Sequence, residues 1–259
     1  MKMFSEERRK RILDYLSRHN RATVKELAEI LNVSTVTLRA DLNYLESEGL
    51  VQRTHGGATL IESKSEFQPM TSFSVREKTN QLEKQAIGKI AADMVSTGQC
   101  IILDASSTCL EMARTLVTQQ KRLTILTNGV VTAMELRENP QFTVIMIGGI
   151  LRLGSVAIEG TIGTHILNEI NVDIMFTSAR GFGYNDGLTD FNVYEVELKK
   201  SMVASANKLV ALLDHSKLGR SSIASFASPQ DIDTIVTDSG VAEEDLHKLQ
   251  QLGIEVVVA

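Results

Sequence analysis

The sequence predicts an α/β protein in two parts: a winged helix-turn-helix domain at residues 1–61, then, after a linker at 62–80, a mainly parallel α/β domain at 81–259. Three observations predict it. Two short, capped, amphipathic helices run from Thr23 to about residue 48 and are followed by strand-like residues around Thr54-His55-Gly56-Gly57. Residues 62–80 are polar, carry Pro69 and show no sustained periodicity, as expected of a linker with a short helix near its end. From Leu82 onward, short apolar strands alternate with helical patterns, the signature of strands laid parallel by helical crossovers.

Taken in order, Ser5 can cap a first helix reaching about residue 19, with Ile12, Leu13 and Leu16 inward. Arg8, Arg9, Lys10 and Arg11 near its start form either a solvated face or a phosphate contact. Thr23 caps the next helix and Glu26 completes a capping box. Val24, Leu27, Ala28 and Leu31 then fall at i, i+3, i+4 and i+7 on one stripe. Ser34 caps a third helix whose core face is Leu38, Leu42 and Leu45. Gly49 is a natural residue to end it. Strands at 50–53 and 58–61 complete a hairpin, the wing.

The third helix has the face of a DNA reader. With its leucines inward, Val36, Thr37, Ala40 and Asn43 project outward and Arg39 lies on the flank. Ser34, Thr35 and Thr37 offer hydroxyls and methyls to base edges, and Arg39 can reach guanine or phosphate. Arg53, His55 and Gly56 fall on the wing. An ordinary helical hairpin with a wet outer face is the plain alternative.

The totals set bounds. With 43% hydrophobic and 23% charged residues the chain is expected to be globular, and no apolar run approaches a membrane span. The start, MKMFSEERRKRIL, lacks the apolar stretch of a secretory signal, so a cytoplasmic location is expected. Cys100 and Cys109 have no CxxC or histidine spacing; reduced core thiols are expected, with no metal site and no cofactor. Net charge is −5, but residues 1–60 carry +2 and the remainder −7. The N-terminal part is the plausible DNA face, and so weak a charge points to binding as a homodimer or homotetramer.

In the α/β part, strands are expected at 100–103, 123–126, 143–147, 172–178, 209–213, 232–237 and 255–258. Helices are expected at 82–96, 107–118, 129–137, about 194–206 and 243–252. Ligands in such folds sit beyond the carboxyl ends of the strands. Those positions hold Asp104-Ala105-Ser106-Ser107-Thr108, Thr127-Asn128-Gly129, Gly148-Gly149 with Arg152, and Asp214-His215-Ser216-Lys217. Hydroxyls, backbone N–H groups and cations converging on helix starts suit an anion, typically phosphate. Serine and threonine are also ordinary caps. Glu195 and Lys199, four apart on a helix, form either a surface ion pair or part of the ligand site.

The run SxxTLRxDLxxLExxGLVxRxHGGA, from Ser34 to Ala58, resembles the DeoR family of bacterial transcriptional regulators, and the resemblance extends over nearly the whole chain. Ala40 departs from it where the family usually has a second arginine. Asp41, a family position, is expected to be structural and to pair with an arginine such as Arg53. The later segments look like the DeoR-type sensor domain, similar in fold to sugar-phosphate isomerases. Asp104, Ser107 and Thr108 match its D-x-G-T-T turn, with Ser106 where glycine is usual. Thr127 and Asn128 match its T-N pair, and Gly148, Gly149 and Arg152 its GG-x-x-R. Gly181, Gly187, Thr189, Glu195 and Lys199 match the G…GLT…E…K run, and Asp214, Ser216 and Lys217 match D-x-SK.

The resemblance implies a transcriptional regulator, a repressor of a carbohydrate-metabolism operon, that binds double-stranded operator DNA and a phosphorylated sugar or related metabolite, with no catalytic residues of its own. The alternative is a sugar-phosphate isomerase carrying an accessory DNA-binding domain, with Glu195 as base and Lys199 holding an enediolate. A third possibility has the small domain bind protein rather than DNA.

Overall fold

The computed structural model describes residues 21–47, 51–54, 56–60, 73–153 and 155–259, together with 8, 9, 11–13, 15 and 16. The chain divides into two compact units, Met1–Thr71 and Ser72–Ala259.

In the first unit the described residues between 8 and 16 are helical. Strand β1 (Arg21–Thr23) leads into α1 (Val24–Leu31), and α2 (Thr35–Ser47) is followed by β2 (Val51–Thr54) and β3 (Gly57–Leu60). The capping box forms: the Glu26 N–H donates to Thr23 Oγ1 (3.1 Å) and the Thr23 N–H to Glu26 Oε2 (2.9 Å). Asn32 ends α1 at φ +50°, a conformation asparagine tolerates better than most residues. The Thr37 N–H donates to Ser34 Oγ (3.1 Å), so Ser34 starts α2. Leu27, Leu38, Leu42 and Leu45 meet Ile12, Leu16 and Val51 in one buried core. The wing has a third strand that the sequence did not suggest: β1 pairs antiparallel with β3, giving the order β1-β3-β2. A three-residue strand holding Arg21 and Thr23 has no apolar alternation to show it. Gly57 permits the closure, since a Cβ there would lie 2.2 Å from the Ala22 carbonyl oxygen. Gly49 and the first helix's Ser5 lie outside the described residues.

The second unit opens with α3 (Phe73–Lys78) and α4 (Gln81–Asp93), then β4 (Cys100–Leu103), α5 (Ser107–Val117), β5 (Leu123–Thr127), α6 (Val130–Leu136) and β6 (Phe142–Met146). A hairpin of β7 (Ile150–Leu151) and β8 (Ile158–Glu159) and the short α7 (Ile166–Glu169) precede β9 (Ile174–Thr177). Next come β10 (Gly181–Gly183), β11 (Gly187–Asp190), α8 (Val193–Ser205), β12 (Leu209–Leu212), β13 (Ala224–Ala227), β14 (Thr234–Thr237), α9 (Glu243–Gln251) and β15 (Glu255–Val258). The compact unit thus begins at Ser72, and the last part of the expected linker, 73–80, belongs to it.

Seven strands form one sheet in the order β15-β14-β12-β9-β4-β5-β6, every pair parallel. Successive side chains bury on opposite faces: Ile102, Met175, Ala211 and Ile235 on one, Ile101, Phe176, Val210 and Val236 on the other. That double burial explains the unbroken apolar runs in these strands. Strand β4 connects to β5 on one side and lies against β9 on the other, so the order reverses between β4 and β9. The crevice beyond their carboxyl ends is where this kind of sheet binds ligands. The glycine-containing β10 and β11 form a separate antiparallel sheet with β13. Strands this short and polar escaped the sequence expectations.

Candidate functional site

At the reader helix, Ser34, Thr35, Val36, Arg39, Ala40 and Asn43 are exposed and Thr37 is half-buried. The Thr37 hydroxyl lies 2.9 Å from that of Ser34, so the two present a joined pair to solvent. Arg53 is anchored on α2: its Nη1 donates to Asn43 Oδ1 and its backbone N–H to Glu46 Oε1 (3.1 Å). The expected Asp41–Arg53 pair does not form. Asp41 is buried and pairs with Arg8 and Arg9, accepting from Arg9 Nε at 3.1 Å. Two positions along a helix are 200° apart, so Asp41 and Asn43 face opposite sides and cannot share Arg53. Arg9 also lies 3.6 Å from the centroid of the Tyr44 ring. Arg8 and Arg9 therefore tie the first helix to α2, while Arg11 is exposed and Lys10 lies outside the described residues. Gly56, at φ +103°, is exposed, and its carbonyl accepts the Val24 N–H (2.8 Å). His55 lies outside the described residues.

In the second unit the switch point holds a buried charge cluster. Asp104, fully buried, follows β4. It accepts from the Ser106 N–H (2.9 Å), Thr177 Oγ1 (2.6 Å), the Ser178 N–H (3.1 Å) and Lys199 Nζ (3.1 Å). Lys199, 2% exposed, also donates to the Ser178 carbonyl (2.9 Å) and Asp190 (3.3 Å), with Glu195 at 4.0 Å. Burial alone would raise the Asp104 pKa, but Lys199 and the hydrogen bonds from Ser106 and Thr177 bring it down to about 2. Burial alone would lower Lys199; Asp104, Asp190 and Glu195 outweigh it and raise it. Glu195 is pushed up, chiefly by burial, with Lys199 opposing and Asp190 and Asp104 adding to the rise. The Glu195–Lys199 pair is thus not a surface ion pair: the lysine is a core residue, closer to Asp104 than to Glu195.

Beside this cluster the turns after β4 and β5 meet. Ser106 caps α5 by accepting the Cys109 N–H (3.1 Å). Asn128 latches two turns together, accepting the Ala105 N–H (3.0 Å) and donating to the Ile158 carbonyl (2.9 Å). Thr127 Oγ1 accepts the Gly129 N–H (3.0 Å). Thr108 is buried at the first turn of α5, and the Ser107 hydroxyl points to the Arg76 carbonyl (3.5 Å). Asp104, Thr127 and Asn128 therefore shape the site rather than offer free groups to a ligand. The exposed Gly148 and Gly149 lead into the β7–β8 hairpin, where Arg152 is engaged by Glu159 and stacks 4.9 Å from the Tyr194 ring centroid. No direct contact joins Arg152 to the Asp104–Lys199 cluster. Glu159 in turn accepts from Asn192 (2.6 Å), the residue before α8.

Asp214 is 1% exposed and accepts from Asn80 Nδ2 (2.9 Å) and the Ser216 N–H (3.2 Å), while Lys217 is half-buried. Beside them stand three cations that sequence reasoning missed: Arg76, Lys84 and Arg180. Lys84 is 4% exposed, and its Nζ donates to the Arg76 (2.5 Å) and Thr79 (2.6 Å) carbonyls. Burial, and repulsion by Lys217 and Arg76 against attraction by Asp214, bring Lys84 down to about 8. Burial lowers Lys217 too, with Arg180 and Arg76 adding to it against Asp214, and burial and Arg76 lower Arg180. Four cations thus crowd one site, with burial and mutual repulsion disfavouring the charged forms of Lys84, Lys217 and Arg180. Lys84 was legible: it shares a helical stripe with Ile87, Ala91 and Ala92, an odd place for a lysine. Thr177 and Ser178 also stand at a strand end, where the same rule would have found them. Among the described residues no cluster of histidine, cysteine or carboxylate suits a metal ion.

Residues 8–64 match the DeoR-like helix-turn-helix domain, and residues 79–239 the DeoR C terminal sensor domain. The chain belongs to the DeoR family of transcriptional regulators. It is 44% identical to the HTH-type transcriptional regulator GolR of Listeria innocua over 99% of this chain and all of that one. It is 33% identical to the HTH-type transcriptional repressor GlcR of Bacillus subtilis over 99% of this chain and 97% of that one. Ribose 5-phosphate isomerase A from Methanocaldococcus jannaschii aligns at 21% identity and TM-score 0.42 over 54% of this chain and 55% of that one. As in its DeoR-family relatives, the N-terminal unit is a DNA-binding domain and the rest a sensor domain; the isomerase alternative is not favoured, since these relatives are regulators. No helix among the described residues is long and apolar enough to cross a membrane.

Proposed function

We propose that this protein is a cytoplasmic repressor of a carbohydrate-metabolism operon, and that a phosphorylated sugar or related metabolite bound to the sensor domain modulates its hold on operator DNA. The observation that carries the effector reading is the crowding of Arg76, Lys84, Arg180 and Lys217 beside the Ser106-Ser107-Thr108 turn at the start of α5. A phosphate there gains backbone N–H donors, hydroxyls and relief of like-charge repulsion together. Glu195, the carboxyl of the buried cluster with the fewest partners, accepts a sugar hydroxyl in this reading. The relatives' names, among them an aga operon repressor of Escherichia coli O157:H7 that is 31% identical, support control of sugar genes.

On the DNA side, Ser34, Thr35, Val36, Thr37, Arg39 and Asn43 meet bases or phosphates from α2, and Arg53, His55 and Gly56 from the wing. A net charge of +2 over residues 1–60 favours two or more copies acting together. Exposed Ile150, Leu151, Leu153 and Ile162 in the sensor domain support self-association as a homodimer or homotetramer. The test is calorimetric titration of the purified chain with sugar phosphates and their unphosphorylated counterparts. The reading requires the phosphorylated forms to bind and the unphosphorylated ones to bind far more weakly; equal binding of both would overturn it.

A further inference from the structure

Helix α3 has six residues, none of them buried. A helix so short does not hold itself together, and no apolar face glues it down. Polar anchors fasten it, and nearly all come from the effector site. Lys84 Nζ takes the Arg76 and Thr79 carbonyls at its C-terminal end. Ser107 Oγ reaches the Arg76 carbonyl (3.5 Å), and Arg114 bonds Glu77 (2.6 Å). Asn80, the residue that joins this segment to α4, donates to Asp214 Oδ1 (2.9 Å) and Ser216 Oγ (3.3 Å). It does so at φ +50°, one of two non-glycine residues with positive φ among the described residues. Asparagine tolerates that conformation, and the bonds to Asp214 and Ser216 hold it there.

Two groups at this junction are unfinished. Asp214 Oδ2 is buried without a hydrogen-bond partner among the described residues. Arg76 has no carboxylate within ion-pair distance among the described residues, and its charge opposes those of Lys84, Lys217 and Arg180. In sequence, α3 is the first element of the sensor unit, and the chain on its N-terminal side leads back to the DNA-reading domain.

We propose that α3 is a wall of the effector site and the element through which the site acts on the reader: Arg76 and Lys84 hold one side of an anionic effector, Ser107, Arg180 and Lys217 the other, and the anion fixes α3 to the sensor domain. This rests on the anionic-effector reading above. Arg76 repels Lys84, Lys217 and Arg180, with Asp214, Asp190, Glu111 and Glu195 opposing, and a bound anion shifts that balance toward attraction. The Asp214 Oδ2 acceptor suits an effector hydroxyl. Because α3 has little else to hold it, the bound and free states differ in how firmly it is docked, and linkage passes that difference to DNA binding.

Hydrogen exchange of the full-length chain, with and without inorganic phosphate as the probe, tests this. Phosphate should slow exchange of the backbone amides of residues 75–80 on the order of tenfold, the size of a typical coupling. Arg76→Gln should abolish that protection and weaken phosphate binding, with Arg76→Lys restoring part of both. If Lys217→Ala weakens phosphate binding while Arg76→Gln binds as tightly as the unaltered chain and α3 gains no protection, the wall role is overturned and the anion site stands. If phosphate neither binds nor protects any segment, both fall.

Discussion

Replacing Lys199 with methionine isolates what the buried charge cluster contributes. The methionine keeps most of the volume of the side chain beside Phe226, whose ring centroid lies 4.8 Å from Nζ, and removes only the charge and its donors. Asp104, with no exposed surface, then keeps its bonds from Ser106, Thr177 and Ser178 but loses its counter-charge. Removing one partner of a buried pair costs about 3–5 kcal/mol; the three remaining donors place this case at the lower end, near 3. For a unit of this size that lowers the unfolding midpoint by roughly 6–12 °C. The pH dependence is distinctive. In the unaltered chain Asp104 is held at about 2, below its unfolded value, so its contribution is complete above the ordinary carboxylate range and is lost as pH falls toward 2. Without Lys199, burial raises Asp104 relative to the unaltered chain, opposed only by the remaining hydrogen bonds, so part of the stability its ionised form contributes at neutral pH is lost. The variant's deficit should therefore be largest at neutral pH and shrink in acid. Scanning calorimetry of the full chain between pH 4 and 8 reads both quantities. A deficit under about 1 kcal/mol, or one independent of pH, would refute the claim that the pair is structural.

Lys84 in the sensor domain and Asp41, Thr37 and Arg53 in the reader domain each give a further outcome. Lys84, depressed to about 8, must take up a proton to meet a phosphate in alkaline solution, so phosphate affinity in titration calorimetry should fall as pH rises through 8 and flatten in Lys84→Met. Asp41→Ala leaves Arg8 and Arg9 without their carboxylate and should lower the stability of the reader domain by about 1–3 kcal/mol, measured by denaturant unfolding, with no change in base preference among the duplexes still bound. Thr37→Ala should change which operator bases are preferred, whereas Arg53→Ala should weaken all duplexes alike and reduce the salt slope by about 1; uniform loss for Thr37→Ala would remove it from base readout.

The parts of the fold that are periodic were legible in the sequence. Val24, Leu27, Ala28 and Leu31 gave α1 its stripe, and the doubly buried strands announced themselves as runs such as Ile101-Ile102-Leu103 because both faces of a parallel sheet are covered. The parts that depend on distant residues were not. Strand β1 exists because β3 offers it an edge, and the β10–β11–β13 sheet is held by tertiary pairing of glycine-containing segments with no period of their own. In the candidate site, Asp104, Ser106 and Asn128 stand after strands, as their place in the sequence suggests, but pairings between distant residues were not legible: Lys199 meets Asp104 across 95 residues of chain, and in the reader domain Asp41 meets arginines 32 and 33 residues away rather than Arg53. The role of α3 was hidden because a six-residue helix in a polar stretch reads as linker until Lys84 and Asn80 are seen holding it.

The most direct test is binding of the full-length protein to DNA flanking its own gene, measured with and without a panel of sugar phosphates and the matching free sugars. A phosphorylated sugar should shift the affinity by roughly 5–150-fold, the span of a typical allosteric coupling, the free sugar should not, and Arg76→Gln should bind DNA but no longer respond. An affinity unmoved by every phosphorylated sugar, or moved equally by the unphosphorylated forms, would contradict this expectation.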